Sequence, residues 1–284
     1  MAMSGTNHVI DLVDVTLDHP RGGTPLVTGA NLGIPSGEIV LIVGAAGVGT
    51  SRLVAAALGE LDLAAGRIEV LGRDVSKLRR SSLRLIRRRI GIVPQDLCLL
   101  DDRSAQLNVV LPLEIDGVPR EVSLIQANRI LGQLGLSDEA ELPVDQLSAA
   151  ARQRVALARA LVREPELVIA DHPTSMQDAA GAELVCTALA IAAARGAACI
   201  VFGRDPALLT LAERHRWKRL GLVNGELKPL SEIAIEMIPE FVSGAAIPVP
   251  ADDIPISVAA EVALDEAMPN VLPFPLLASS GAGG

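Results

Sequence analysis

The stretch Ile39–Ser51 constrains the fold more than any other part of the chain. Ile39-Val40-Leu41-Ile42-Val43 is short, wholly apolar and largely β-branched, the pattern of a strand covered on both faces. It runs into Gly44-Ala45-Ala46-Gly47-Val48-Gly49 and then into a helical stretch from about Thr50 to Leu58. Strand, glycine loop and helix in that order aim several backbone N–H groups and the positive end of a helix dipole at one point. That arrangement suits a phosphate.

The remaining elements agree with an α/β domain. A second buried strand, Leu167–Ala170, ends in Asp171, and a third, Ala198–Phe202, precedes Gly203-Arg204-Asp205. Gly181–Ala194 between them reads as a crossover helix, and right-handed βαβ units assemble a parallel sheet. Alternating apolar residues in Val9–Leu17 and Pro25–Ile34 flank His19-Pro20-Arg21-Gly22-Gly23, which predicts a hairpin. Residues of about 104–165 read as mostly helical and interrupt the sheet order, as an inserted helical subdomain does. With 284 residues, half of them hydrophobic, the chain is long enough for one large core. Three Phe, one Trp and no Tyr leave that core to Leu, Ile, Val and Ala, and they disfavour recognition by stacking bases on aromatics.

Charge divides the chain. All 25 Lys and Arg lie at or before Lys228, whereas eight of the 34 acids lie beyond it, so nearly all of the net charge of -9 sits in the tail. The expected domains are 8–229, with the helical insertion at about 104–165, and an acidic, Pro- and Ala-rich extension over 230–284. Cys98, Cys186 and Cys199 are far apart and lack metal-ligand spacing, which suits reduced cysteines in a cytosolic protein. The uncharged run Leu184–Ala194 is far short of the roughly 20 residues that a bilayer requires. Ala267–Gly284 is interrupted by Pro269, Pro273 and Pro275, and the N-terminus lacks the basic and apolar regions of a signal peptide. The expectation is a soluble protein, any membrane span being supplied by another subunit.

Gly44–Ser51 matches G-x-x-x-x-G-x-[ST], with Thr50 where the motif requires Lys. Further along come Ile90-Gly91-Ile92-Val93-Pro94-Gln95, a strand ending in Gln, and Leu147-Ser148-Ala149-Ala150-Ala151-Arg152-Gln153-Arg154, which opens a helix reaching toward Pro165. Leu167-Val168-Ile169-Ala170-Asp171-His172-Pro173-Thr174 and Asp178 follow. This ordered series resembles the ABC transporter ATP-binding (nucleotide-binding domain) family over about residues 8–228. Arg87–Asp96, Asp102–Glu114 and Gly117–Glu121 look most like its cell-division, lipoprotein-release and macrolide-export subgroup.

The resemblance implies a P-loop NTPase (RecA-like) core with an antiparallel β subdomain and an inserted α-helical subdomain. It also implies ATP with Mg²⁺, held by Gly44, Gly47, Gly49, Ser51, Gln95 and Asp171, with Ser51 and Asp171 on the metal. The implied assembly is a homo- or heterodimer of cassettes, cytoplasmic and peripheral on the inner face of the plasma membrane. Its implied partner is an integral membrane permease-type subunit, whose cytoplasmic helix docks near Gln95–Leu100 and Leu107–Leu113.

Several positions depart from the family pattern. The phosphate-binding lysine is Thr50, and losing a charge-assisted bond of roughly 1.5–3 kcal/mol weakens nucleotide affinity by about 10- to 100-fold. The signature loop, Leu-Ser-Gly-Gly-Gln in the family, has Ala149, Ala150 and Ala151, which favour plain helix continuation over close backbone approach. Ser148 either contacts phosphate or serves as a helix N-cap. The general base is replaced by His172, and the switch histidine by Arg204, which cannot accept a proton. His19 lies where the family stacks an aromatic on adenine, or is an exposed turn histidine. Gln95 and the D-loop residue Asp178 are retained and suit either an intact dimer geometry or a structural role.

These losses point to a subunit that binds ATP weakly, does not hydrolyse it, and serves as a structural or regulatory partner in a membrane complex. The alternatives are a working transport ATPase with variant motifs and a soluble pseudo-ATPase scaffold without a membrane partner. The basic run Lys77-Leu78-Arg79-Arg80 with Arg87-Arg88-Arg89 invites nucleic acid, but helical spacing, a near-neutral domain and the family resemblance argue against it.

The tail combines eight acids, no base and many apolar side chains, and Ser257–Met268 has the pattern of a short helix. It reads either as a docking segment, with Arg79–Arg89 as the basic cluster facing it, or as a linker. Docking predicts that deleting 239–284 leaves the α/β fold intact and weakens self-association or partner capture. Raised salt should partly mimic the deletion, because exposed pairs are screened within about 10 Å at 0.1 M. Equal sedimentation and partner binding of the two forms would identify a linker.

Overall fold

The computed structural model describes residues 8–45 and 49–233. These belong to one unit, Met1–Gly244; a second, Ala245–Gly284, lies outside the described residues, as does the expected helix at Ser257–Met268. In chain order the elements are β1 His8–Leu17, β2 Val27–Pro35, β3 Ile39–Gly44, α1 Thr50–Ala57, β4 Ala65–Val70, β5 Arg73–Asp74 and α2 Arg80–Arg87. Then come β6 Ile90–Val93, α3 Ala105–Ile115, α4 Arg120–Gln133, α5 Ala149–Leu161 and β7 Leu167–Asp171. The unit closes with α6 Ala179–Ala194, β8 Ala198–Phe202, α7 Pro206–Arg214, β9 Lys218–Val223 and β10 Glu226–Pro229.

Two sheets result. The strands order as β10-β9-β3-β8-β7-β6 in one, parallel except for β10, and as β2-β1-β4-β5, all antiparallel, in the other. The hairpin read from the sequence is β1 and β2. The strands β4 and β5 that complete its sheet, and β9 and β10 at the other sheet's edge, lack a legible pattern: Ala65, Gly66 and Arg67 of β4 are exposed, and β10 has no buried residue.

The central sheet is apolar on both faces because each face has its own core. Leu41, Val43, Val168, Ala170, Cys199 and Val201 point into a cluster shared with α3 to α7. Their chain neighbours Val40, Ile42, Leu167, Ile169, Ile200 and Phe202 point into a second cluster with β1, β2, β4, α1 and α2. The period-two alternation of a strand thus glues three layers together.

The helices α3, α4 and α5 pack on one another in the region read as the insertion. The last of them also lies close over β6. A β-carbon on Gly91 would stand 2.3 Å from the Ala160 carbonyl oxygen and 3.0 Å from the Pro165 ring. Backbone cannot give way there, so Gly91→Ala should push α5 off the sheet and cost about 3 kcal/mol, as overpacking a dense core does. Urea denaturation with an unchanged slope and a lowered midpoint checks this.

Candidate functional site

The parallel strands β3, β8, β7 and β6 end along one edge, where ligands of such sheets bind. At the end of β3, Gly44 and Ala45 lead toward α1; Ala46, Gly47 and Val48 lie outside the described residues. Gly49 caps α1 with φ 104° and no side-chain hydrogen bond. A β-carbon there would lie 2.9 Å from that of Leu26, so both backbone and space demand glycine. Thr50 and Ser51 open the helix, their amides among those that a helix start leaves without an intrahelical partner.

Across the edge stands Asp171, the last residue of β7, only 6% exposed. Its Oδ2 accepts from the Ser51 hydroxyl at 3.3 Å, whereas its buried Oδ1 takes no hydrogen bond among the described residues. Burial raises the carboxyl above the usual carboxylate range, and His172 and Ser51 offset this in part. A buried carboxylate with an unsatisfied oxygen beside a serine hydroxyl fits a divalent cation, so Ser51 and Asp171 are the residues that would hold Mg²⁺.

His172 adopts left-handed backbone, φ 53°. Its N–H donates to the Phe202 carbonyl at 2.8 Å, tying the end of β7 to β8. The ring lies half-buried with Nε2 3.9 Å from Asp171 Oδ1, beside the carboxylate.

The loop after Asp171 is held by a side chain for which the sequence reading gave no role. Gln153 of α5, 4% exposed, donates to the His172 carbonyl at 2.8 Å and to Ser175 Oγ at 3.1 Å. Its Oε1 accepts from the Met176 amide and from Gln177, whose side chain also donates to the Ala150 carbonyl. Thr174 donates to Asp205 at 2.7 Å, and Asp205 caps α7 through the Leu208 amide. The available signal was a polar residue within the buried stretch of α5, between Ala151 and Val155.

The other candidate residues occupy structural positions. Ser148 is the N-cap of α5, accepting from the Ala151 amide at 3.1 Å, and Ala149, Ala150 and Ala151 are the first residues of that helix. Asp178 caps α6 through the Gly181 amide at 2.8 Å. Gln95 is exposed in the loop beyond β6, and Arg204 is half-buried beyond β8. His19 accepts from the Arg21 amide within its turn.

One expectation needs adjustment. Asn108, Val109, Val110 and Leu113 are buried because α3 packs against both α4 and α5, so most of Leu107–Leu113 cannot line an open groove. The exposed large apolar side chains of the β6–α3 loop, α3 and α4 are Leu100, Ile115, Val122 and Ile125. The basic run is also less free than its composition suggests: Arg87, Arg88 and Arg89 pair with Glu60, Asp116 and Glu166.

A strand ending in Gly44, a helix capped by Gly49, and Ser51 of that helix bonded to buried Asp171 at the carboxyl edge of a parallel sheet fit a P-loop nucleotide-binding fold. The chain belongs to the ABC transporter family, whose profile matches residues 27–175. It is similar to the methionine import ATP-binding protein MetN of Rhizobium etli, 35% identical over 175 residues, 62% of this chain and 48% of that one. It is also similar to the macrolide export ATP-binding/permease protein MacB of Shigella sonnei, 36% identical over 210 residues, 72% of this chain and 32% of that one. The chain thus spans about half the length of one relative and a third of the other. Among solved structures, the ATP-binding cassette MJ0796, a dimer in a post-hydrolysis state bound to ADP and Pi, superposes with a TM-score of 0.69 at 28% identity, over 77% of this chain and 96% of the other. CbiO1 of Clostridium perfringens gives 0.67 at 24% identity, over 78% and 87%, a likeness of fold alone.

The energetic cost of burying the Asp171 carboxylate is testable. Asp171→Asn removes a charge that burial disfavours and should raise the urea midpoint at pH 7. Because the folded-state pKa is raised, the wild type gains stability as pH falls through the carboxylate range, so the advantage of the variant should shrink there. Added Mg²⁺ should stabilise the wild type more than the variant.

Proposed function

We propose that this chain is a degenerate ABC cassette that keeps the cation seat and has lost the chemistry around it. The observation that carries this reading is the pairing of Ser51 and Asp171 beside a helix that begins with Thr50 instead of lysine. Ser51 and Asp171 would hold Mg²⁺, which when bound would supply positive charge against nucleotide phosphates. Thr50 adds a hydroxyl to the phosphate side but no charge. The His172 ring rests beside Asp171 3.9 Å away, and Ala149, Ala150 and Ala151 run as helix behind a Ser148 already engaged as a cap. Arg204 holds the switch position with a group that cannot accept a proton.

In a dimer of such cassettes every composite site would contain a substituted half, this chain's phosphate loop in one and its alanine-rich signature in the other. Such a subunit serves as a structural or regulatory partner of a membrane permease-type subunit. Its docking surface is the loop Gln95–Leu100 with the exposed Leu100, Ile115, Val122 and Ile125. No helix among the described residues is long and apolar enough to cross a membrane. Membership of the ABC family supports reading the subunit as peripheral on the cytoplasmic face of a membrane.

Purified protein is expected to show no ATPase activity above that of an active relative lacking its general base. A base alone contributes about 10²–10⁴ in rate. Turnover on the order of 1 s⁻¹, ordinary for an enzyme, and abolished by Asp171→Asn would establish the rival reading of a working transport ATPase.

Mg-ATP should bind in the high micromolar range or weaker by calorimetry, because amide donors remain while the compensating cation is gone. Sub-micromolar binding would mean that another cation replaces the lysine. Arg52 is the first to substitute, since it lies on α1 with a buried Nε–H that donates no hydrogen bond among the described residues.

A further inference from the structure

The loop from β6 to α3 contains two consecutive non-glycine residues in left-handed backbone, Leu97 at φ 58° and Cys98 at φ 44°. That conformation is costly for residues with a β-carbon and persists only where the surroundings over-determine it. Local bonds supply part of the restraint. The Leu97 amide donates to the Pro94 carbonyl at 3.1 Å, the Cys98 amide to the Asp96 carbonyl at 2.7 Å, and the Cys98 thiol to Asp96 Oδ1 at 3.0 Å.

The long-range restraint comes from one side chain. Arg159 of α5 donates from Nη1 to the Cys98 carbonyl and from Nη2 to the Leu97 carbonyl, both at 2.6 Å. The two acceptors belong to the two residues in left-handed backbone, and they lie 61 and 62 positions away in sequence. Burial pulls the Arg159 pKa down, so this charge is held at a cost, and both of these hydrogen bonds go to backbone carbonyls. On the far side of the loop, fully buried Asn108 accepts from the Leu100 amide at 2.8 Å and donates to the Leu100 carbonyl at 3.0 Å. The loop end at Leu100 is therefore fixed to α3 independently of Arg159.

We infer that Arg159 is a positioning residue for the loop that carries Gln95: its guanidinium fork latches Leu97 and Cys98 in left-handed backbone, and without the fork residues 96–99 relax to a second conformation. The latch belongs to the helix whose first turn holds Ala149–Ala151 and whose Gln153 holds the loop after Asp171. The inference rests on loop geometry alone and is independent of whether the chain hydrolyses ATP.

The protein carries its own reporter. Cys98 is exposed, whereas Cys186 and Cys199 are fully buried, with thiols pushed up to about 12. An aromatic disulfide reagent on the folded, full-length chain therefore reads Cys98 first. The hydrogen bond to Asp96 holds the Cys98 thiol above its ordinary range, so relaxation of the loop frees more of the reactive thiolate.

The experiment compares the rates of thiol modification in the wild type, Arg159→Lys and Arg159→Met. Lysine keeps the charge but cannot present a planar fork to two carbonyls. Both variants should modify Cys98 faster by about tenfold or more, the equilibrium equivalent of one lost charge-assisted hydrogen bond. Cys186 and Cys199 should stay unreactive, and faster amide hydrogen exchange should be confined to residues 96–99. Arg159→Lys at the wild-type rate would reduce Arg159 to its charge and overturn the latch. An unchanged Cys98 rate in both variants would do the same. Equal acceleration of all three thiols in Arg159→Lys would show that the residue serves the core as a whole, which also overturns it. If Arg159→Met alone exposes the buried thiols, Arg159→Lys decides.

Discussion

The burial of both faces of the parallel sheet is the constraint on which the rest of this structure depends. Successive residues of β3, β7 and β8 enter separate hydrophobic clusters, so none of these strands can slip by one position without moving a set of apolar side chains into the wrong layer. The register in turn fixes where each strand ends. β3 delivers Gly44, β7 delivers Asp171 and β8 delivers the Phe202 carbonyl to one edge, and every functional contact described above is made there or one loop away.

From that edge, polar side chains extend order into the loops. Gln153 gathers His172, Ser175, Met176 and Gln177 into one network, and Thr174 joins the same loop to Asp205 and so to α7. Gln153 and Thr174 are buried and His172, Gln177 and Asp205 half-buried, whereas Ser175 and Met176 are exposed; leaving Gln153 or Thr174 unpaired would carry a cost of desolvation, which favours this loop conformation. Ser51 and Asp171 sit inside this rigid frame. The same frame persists around Thr50, Ala149–Ala151 and Arg204, because capping and helix continuation make no demand on the groups that polarise a phosphate.

Much of the fold was legible because it follows from period and composition. The hairpin, the buried strands and the crossover helix are each signalled within a few residues of sequence. The remaining strands were not legible: β4 begins with three exposed residues and β10 has no buried residue, and Ile68, Val70, Leu220 and Leu222 become core residues only once β4 and β9 pair with their neighbours. The candidate site was legible as a set of positions, since Ser51, Asp171, Ser148 and Asp178 keep recognisable spacing. The roles of Gln153, Thr174 and Arg159 were hidden, because each contacts residues more than 18 positions away and no local pattern encodes such a partner.

By itself the sequence determined the class of fold, the order of the hairpin, the buried strands and the crossover helix, and the residues at the motif positions, because alternation, helix signals and motif spacing are local properties. Only the tertiary structure decided which of those identities face one another. It placed Ser51 against Asp171, set His172 beside the carboxylate, buried most of the stretch expected to line a groove, and joined Arg159 to the carbonyls of Leu97 and Cys98. The physical reason is that these contacts link the ends of different strands and helices, and their distances are set by how three packed layers align.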